Sequence, residues 1–589
     1  MNKISIILVF ILSSVLYSCS LKEVPKADVD KGTIFSSEQG LKIYSNSFYN
    51  AFPSSGILHN GGASYYLFTN GIPNIVTPNG LDPDNAGGWS WGQLRNINFF
   101  IDNCNSNEVP VAVRNNYIGI ARFFRAYFYY NMMKSFGDLP WIDHALDVKD
   151  SLIYATQDKR TLIVEKIKED LDFAIGNISN KKDASASTIT STVAAAFKSR
   201  VCLWEGTFRK YHDEAGLASS ADEWFNEAVS AAQYVTDAGY SIYMGGGIDN
   251  SYRALFTSKN PISSEVLYAV TFDRSLGIVS ALNHRWTSVT YGGAAWPTRS
   301  FIKTYLMRNG EYFMDQTGAE TMSYTEETKN RDTRLSQTII TPGFTRVNNG
   351  QKINTPPNFA FANNGYQIIK FLVDDISLDK IDNNENNSIL FRYAEVLLNY
   401  AEAKAELGTL TDEEWSKTIG VLRARGGITA GLNQKPTKID TYLRDRFFPN
   451  INDASILEIR RERGVELSLE GFGFDDVKRW KVGELLTKPY DGIYIPAFDV
   501  PYDVNEDGIL DVVFTKNLNP ANKIPGVYYF YVGELLSNGA VNNTQLAADG
   551  HTLLVLSQNP RVWNDRNYFN PIPTSVIQLN PKLKQNPGW

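Results

Sequence analysis

The sequence predicts a mainly α-helical protein in which helix hairpins stack into a scaffold, with long loop-rich excursions and few short strands. Apolar residues recur at helical spacing in several neighbouring segments, which is the pattern of amphipathic helices. Between these segments glycine, asparagine, proline and tyrosine concentrate in stretches so long that they are uncommon unless they serve a function. We therefore expect the loops and strands to carry a ligand surface that the helices support. The loop-rich stretches are residues 60–92, 245–297, 341–365 and 488–549.

The helical segments come in neighbouring pairs. Small residues stand where two helices would press together, as in Ala194, Ala195 and Ala196 and again at Ala401 and Ala403. This pattern resembles degenerate tetratricopeptide repeats, in which one hairpin cannot bury its apolar face alone and several must stack. The predicted helices span residues 113–135, 162–175, 192–204, 224–236, 390–407 and 413–425.

The amino-terminal residues predict a secretory signal peptide over residues 1–18. A lysine precedes an apolar run over residues 4–16, which is shorter than the roughly twenty residues of a membrane-spanning helix. The run ends in Leu16-Tyr17-Ser18-Cys19, which resembles a bacterial lipobox, although Tyr17 is bulkier than is usual there. Cys19 is the expected lipidation site, and its acyl chains would hold the protein on a membrane. The alternative is an ordinary cleaved signal with an incidental cysteine.

The composition argues against several classes of site and partner. The net charge is -7 and no dense lysine or arginine tract is present, so nucleic acid is not an expected partner. Beyond Cys19 only Cys104 and Cys202 remain, too few for a disulfide framework or a cysteine metal cluster. The five histidines lack metal-ligand spacing. Aromatic residues make up 13% of the chain, which suits stacking against polar ligands.

Several motifs follow one another in an order that resembles a known family. The first is Ala121-Arg122-Phe123-Phe124-Arg125-Ala126-Tyr127, followed by Gly137-Asp138-Leu139-Pro140. The most distinctive internal motif runs from Glu462-Arg463 through Glu470-Gly471 to Trp480, and the chain finishes in Gln585-Asn586-Pro587-Gly588-Trp589. On these motifs the chain is similar to the SusD/RagB outer-membrane nutrient-binding lipoproteins over nearly its whole length.

The resemblance implies a domain organisation and a role. It implies a SusD-like N-terminal region with tetratricopeptide-like helices over residues 19–260 and a SusD/RagB C-terminal region over residues 261–589. It also implies a lipoprotein at the outer face of the outer membrane, which binds a glycan and delivers it to a SusC-like TonB-dependent transporter. Binding of a peptide is one alternative, and a pure protein-binding scaffold is another. A surface glycan-degrading enzyme is the alternative of a different class, and we expect no enzyme because no motif singles out a nucleophile or carboxylate pair.

The charged residues of the family-like motifs predict buried ion pairs. Both charge signs recur at helical spacing, and pairs of this kind fix the register between helices. The residues are Arg392, Glu395, Glu402, Glu462, Arg463, Glu470, Asp476 and Arg479.

Aromatic residues in the glycine- and asparagine-rich loops are the candidates for ligand binding. A ring in such a loop has less helical surface to pack against, so it more often presents a face on which sugar C–H groups can stack. The alternative for each ring is a place in the core, notably for Trp91, which precedes Leu94 and Ile97 at helical spacing. The candidates are Tyr65, Tyr66, Trp89, Trp91, Trp286, Tyr291 and Trp296.

One loop places oxygen ligands at alternating positions. Gly508 stands at its sixth position, as the sharp turn of a calcium loop requires, but Phe514 replaces the closing glutamate. Two interpretations stay open: a structural calcium ion, and a polar turn between strands. The candidate calcium ligands are Asp503, Asn505, Asp507, the carbonyl of Ile509, and Asp511.

Overall fold

A computed structural model describes residues 31–53, 64–290 and 295–589. The predicted signal peptide, Cys19 and Tyr291 lie outside the described residues. Within the described part, none of the helices combines the length and the apolarity needed to cross a membrane.

Helices dominate the described residues, as predicted. The helix predicted over residues 113–135 runs from Val111 to Phe136, where Gly137 takes a positive φ of 75° and ends it. The helix predicted over 413–425 contains a π-helical segment, Ser416–Gly420. The helices are α1 Lys31–Phe35, α2 Glu38–Asn46, α3 Gly92–Asn103, α4 Val111–Phe136, α5 Arg160–Asn177, α6 Ser191–Tyr211, α7 Ala221–Asp237, α8 Ser251–Thr257, α9 Leu282–Thr287, α10 Arg299–Ile302, α11 Tyr324–Thr328, α12 Thr333–Thr338, α13 Tyr393–Glu406, α14 Asp412–Trp415, α15 Val421–Arg425, α16 Thr441–Phe447, α17 Ala454–Glu466, α18 Gly473–Arg479 and α19 Thr574–Leu579.

The long helices pack as neighbouring hairpins. Helix α4 packs on α5, α6 packs on α7, and α13 packs on α7 and α17. Ala194, Ala195 and Ala228 are fully buried, as the small-residue pattern predicts. At Gly206 a side-chain Cβ would lie 2.7 Å from ring atoms of Phe225, so α6 and α7 approach each other too closely for any larger residue there. The scaffold of stacked hairpins is therefore confirmed.

Short strands divide the stretches predicted as loops into small sheets. Strand β2 pairs antiparallel with β6, β4 with β5, and β1 with β3, while β10-β9-β8 and β11-β12-β7 form three-stranded sheets. The helix predicted over residues 390–407 begins only at Tyr393 because the preceding residues belong to β6. The strands are β1 Leu67–Thr69, β2 Val266–Val270, β3 Ala295–Pro297, β4 Thr345–Asn348, β5 Gln351–Asn354, β6 Ser388–Arg392, β7 Tyr490–Tyr494, β8 Pro501–Tyr502, β9 Val512–Thr515, β10 Tyr528–Tyr531, β11 Thr544–Leu546 and β12 Thr552–Val555.

One hydrophobic core crosses the predicted boundary between residues 260 and 261. The ring of Phe197 in α6 lies 5.5 Å from that of Phe123 in α4 and 6.0 Å from that of Phe391 in β6. The two predicted regions therefore share their apolar interior, and the boundary itself stays a prediction from the sequence.

Candidate ligand-binding surface

Two of the loops predicted to carry ligand meet in a small sheet. Because β1 pairs antiparallel with β3, Phe68 lies opposite Trp296. The N–H of Thr298 donates to the carbonyl of Tyr66 at 3.0 Å and extends the pairing. We call residues 64–70 and 295–298 the loop junction. The junction brings together the loops that carry three of the predicted ligand residues, Tyr65, Tyr66 and Trp296.

The predicted aromatic rings of this region face the core. Tyr65 and Tyr66 are 8% and 3% exposed, Trp296 is 1% exposed, and Trp286 in α9 is fully buried. The ring of Tyr66 lies 4.8 Å from that of Phe301, and burial raises the pKa of both tyrosines above the ordinary value. The expectation that these four rings present a face to solvent is wrong. Strand pairing and a short helix give them a core to pack against, and the sequence pattern did not show either element.

Trp89 and Trp91 are predicted ligand residues that keep partial exposure. Their rings meet edge to face, with centroids 5.5 Å apart and planes at 67°. Trp89 packs against Phe136 at 5.0 Å and Trp91 against Phe128 at 5.6 Å, so both are anchored on α4. Each of the two residues stays partly exposed to solvent. We call these two residues the tryptophan pair.

The tryptophan pair and the loop junction are separate. Over residues 31–53, 64–290 and 295–589, no ring contact joins Trp89 or Trp91 to Tyr65, Tyr66 or Trp296. These predicted ligand residues therefore fall into two groups, the buried rings of the loop junction and the partly exposed tryptophan pair.

Sequence reasoning missed the residues that brace the loop junction. The side chain of Asn364 donates to the carbonyl of Pro297 at 2.7 Å, and Asp491 accepts from the N–H of Ser300 at 3.1 Å. Gly365, next to Asn364, has a φ of 96°, and a Cβ there would lie 2.6 Å from the side chain of Ile493. The available sequence signal was Gly365 at the end of the predicted loop 341–365, because a glycine often marks a close approach of the backbone.

The charged motif residues form buried ion pairs, as predicted. Arg392 contacts Glu470 at 2.7 Å and Glu466 at 2.5 Å, and Arg334 contacts Glu466 at 2.9 Å and Glu462. All of these side chains are at most 4% exposed. The other predicted residues also pair: Glu395 with Arg200, which was not predicted, at 2.6 Å, Arg463 with Asp476 at 2.9 Å, and Arg479 with Glu402 at 2.5 Å.

The ion pairs keep two central carboxylates charged. Burial alone would raise the pKa of Glu402, but the guanidinium groups of Arg479, Arg463 and Arg460 together outweigh burial and lower the pKa to about 2. Burial opposes the charge of Glu466 in the same way, yet Arg425 and Arg392 lower its pKa well below the ordinary value. A general acid in glycoside hydrolysis needs a raised pKa, so neither carboxylate is suited to that role.

The predicted calcium loop forms a tight polar turn. Asp503 accepts from the N–H groups of Asp507, at 3.3 Å, and Gly508, at 2.8 Å, while Asp511 accepts from that of Val504 at 2.9 Å. Burial and the charges of Asp503 and Asp507 raise the pKa of Asp511. Across the described residues, no group of three or more His, Cys, Asp or Glu side chains is arranged to hold a metal ion. The turn interpretation accounts for this geometry, and calcium stays a prediction.

We propose that a calcium ion held by this loop relieves the repulsion around Asp511 and stabilises the loop. Titration of calcium into chelator-treated protein should then raise the melting temperature, because a ligand at a hundredfold excess over its Kd adds about 2.7 kcal/mol to stability. Asp507→Asn should abolish the increase. Asp273→Asn is the matched control, since Asp273 accepts from the N–H of Ser275 in another exposed turn. Equal melting curves with and without calcium would leave the loop a turn only.

Two family-like motifs meet beside a cavity of about 790 Å³. Gly137-Asp138 from the end of α4 and Asn586-Pro587-Gly588 from the carboxyl terminus both line it. The N–H of Asn570 donates to the carbonyl of Ser135 at 2.7 Å, and the guanidinium of Arg566 lies 4.2 Å from the ring of Trp589. The segment from Arg566 to Asn570 therefore contacts both the end of α4 and Trp589 of the terminal motif.

Comparison with known proteins matches most of the chain. A sequence model described as the SusD family matches residues 268–589, and one described as starch-binding associating with outer membrane matches residues 84–192. The SusD-like protein P2 of Formosa agariphila is 25% identical over 427 residues, which are 68% of this chain and 72% of that protein.

Solved structures show the same fold at low sequence identity. A SusD-like protein from Bacteroides fragilis is 19% identical, with a TM-score of 0.67 over 95% of this chain and 98% of that one. A SusD-like carbohydrate-binding protein from Bacteroides fragilis is also 19% identical, with a TM-score of 0.68 over 94% of this chain and 100% of that one.

Proposed function

The chain belongs to the SusD family, and from this premise we propose that it is an outer-membrane lipoprotein that binds a glycan outside the cell and passes it to a SusC-like TonB-dependent transporter. The observation that carries the proposal is the family match over more than half of the chain. The second match, over residues 84–192, supports glycan binding and association with the outer membrane, and it includes the tryptophan pair.

The glycan surface that we propose is the tryptophan pair. The two indole rings lie at 67° to each other and pack against side chains of α4. They therefore offer rigid apolar surface beside a solvated loop. Such faces stack on the C–H surface of a sugar ring while hydroxyls remain hydrated. Peptide binding is the alternative, because the same rings would also pack against apolar side chains. An enzymatic role has no support from the buried carboxylates described above.

Alanine substitution of the tryptophan pair tests the binding site. Trp89→Ala and Trp91→Ala should each weaken oligosaccharide binding about tenfold or more, a loss of roughly 1.4 kcal/mol, because each removes one stacking face. Calorimetric titration would use maltoheptaose and a panel of other neutral oligosaccharides. Trp589→Ala is the control, since Trp589 is also partly exposed but lies on the tail. Unchanged affinity in both pair variants, or binding of peptides alone, would contradict the proposal.

Co-purification of the protein with a transporter tests the delivery step of the proposal. Gentle solubilisation of outer membranes should recover the full chain together with a large TonB-dependent barrel, and chemical cross-linking should trap the same pair. Consistent recovery of the chain alone after cross-linking would count against delivery. Glycan binding in the same preparation would still support capture, so the two parts of the proposal fail independently.

A further inference from the structure

A second cavity, of about 390 Å³, lies between two segments of the chain. One wall is the turn from Gly310 to Gln316, and the other is the segment from Gly431 to Lys438. The N–H of Thr429 donates to the carbonyl of Arg308 at 2.9 Å, which ties the two walls together at their base. The cavity is of ordinary size for a small-molecule site. None of its lining residues belongs to the loop junction or the tryptophan pair.

The floor of this cavity is built from buried charged groups. Arg423 and Glu458 line it and are 4% and 1% exposed. Arg423 donates through Nε to Glu462 at 3.2 Å and through Nη2 to Glu458. Its remaining nitrogen, Nη1, makes no hydrogen bond to any of the described residues and lies 3.6 Å from the place of a Cβ on Gly431. A buried guanidinium therefore keeps one donor for a partner at the cavity wall.

The charges of the lining decide which ligands fit. Three carboxylates and two cations line the cavity, and Lys438 is already paired with Asp315 at 2.5 Å. An anionic ligand would meet excess negative charge at the rim, including Glu311. An ammonium ligand carries only donors, so it offers no acceptor to Arg423 Nη1 in the floor of the cavity. That nitrogen would stay without a hydrogen-bond partner. A neutral ligand that carries hydrogen-bond acceptors avoids both penalties.

The walls favour a sugar among neutral ligands. The ring of Tyr312 is held by its hydroxyl, which donates to the carbonyl of Lys438 at 2.9 Å, and by Arg461, which lies 4.8 Å behind it. Together with Pro436 the ring supplies apolar surface, part of which is covered by Lys438, whose Nζ lies 5.0 Å from the ring centroid. Glu311 can accept hydrogen bonds from hydroxyls, and Gln434 can accept or donate them. We propose that this cavity is a binding site for a neutral saccharide of one or two rings, distinct from the tryptophan pair.

The proposal is tested by a substitution that places a large side chain at the exposed rim of the cavity. Gln434 is exposed and Gln434→Trp adds bulk without touching the buried ion pairs, whereas Gln351→Trp places the same ring on the exposed hairpin β4–β5 as a control. Saturation-transfer NMR on the purified full chain would use maltose, cellobiose, lactose and mannobiose, with digalacturonic acid as the anionic comparison. Each measurement is repeated in a Trp89→Ala/Trp91→Ala background, which removes the contribution of the proposed first site.

We expect at least one neutral disaccharide to bind in that background, with affinity reduced about tenfold or more by Gln434→Trp and unchanged by Gln351→Trp. Digalacturonic acid should bind more weakly than the best neutral disaccharide. Binding unaffected by Gln434→Trp, preference for the anionic disaccharide, or no neutral disaccharide bound at all would overturn the proposal. Loss of all binding in the tryptophan-pair background would also overturn it, while supporting the proposed function.

Discussion

Glu466→Gln is expected to lower the free energy of unfolding by about 3–5 kcal/mol, the usual cost of removing one partner from a buried ion pair. Glu466 is fully buried and contacts Arg334 at 2.9 Å, Arg392 at 2.5 Å, and Arg425. The amide cannot balance three guanidinium groups, and desolvated positive charge would remain between α12, α15 and β6. The thermal unfolding midpoint and denaturant titration of the two proteins measure the loss.

Glu413→Gln is the matched control for this substitution. Glu413 pairs with Lys417 one helical turn away, but its side chain is 76% exposed, so solvent screens the pair and the effect should be close to zero. Similar losses from both substitutions would mean that the cost comes from the amide itself and that the buried network contributes little.

The pH dependence of the Glu466→Gln effect follows from the direction of the pKa shift. The folded-state pKa of Glu466 lies well below its unfolded value, so its contribution to stability is present above the unfolded pKa of about 4.3. That contribution is lost as the pH falls through the folded pKa. The difference between the two proteins should therefore be largest near neutral pH and shrink in strong acid. A difference that grows with acidification would contradict the assignment of Glu466 as a charged partner.

Local pattern predicted the helices and indicated which charged residues form buried ion pairs, but it did not indicate their partners, which lie far away in sequence. The apolar spacing from residue 113 to 135 identified α4 to within two residues at its start and one at its end. The spacing of charges identified Arg392, Glu470 and Arg479. It did not identify Glu265, which contacts Arg425 at 2.8 Å and Arg392 at 3.2 Å, because Glu265 lies in the turn before β2 and outside the segments with charges at helical spacing.

For the loop aromatics, a single sequence does not reveal which rings are buried and which are exposed. Trp296 is buried because β3 pairs with β1, and nothing near either segment indicates a partner more than two hundred residues away. Trp89 and Trp91 keep partial exposure because α4 supports only part of their surface. The loops around all of these residues have similar composition. Only the tertiary contacts distinguish the rings that are buried in the core from those that are open to a ligand.

Cys19→Ala is expected to remove nearly all of the protein from the outer membrane. Each methylene that an acyl chain buries adds about 0.8 kcal/mol to membrane binding, and stable anchoring needs more than one chain or a second signal. A multiply acylated Cys19 meets that need, and alanine cannot accept a lipid. Mass spectrometry of wild-type protein should find Cys19 acylated at the mature amino terminus.

The controls for Cys19→Ala are the other two cysteines. Cys104→Ala and Cys202→Ala change buried free thiols, and burial raises the pKa of Cys104 to about 11, so neither thiol is expected to be reactive or to affect membrane retention. Inner and outer membranes must be separated before the assay, because an uncleaved signal segment would hold the Cys19 variant in the inner membrane. Cys19→Ala protein that still resides in the outer membrane at the wild-type level would show that the anchor lies elsewhere.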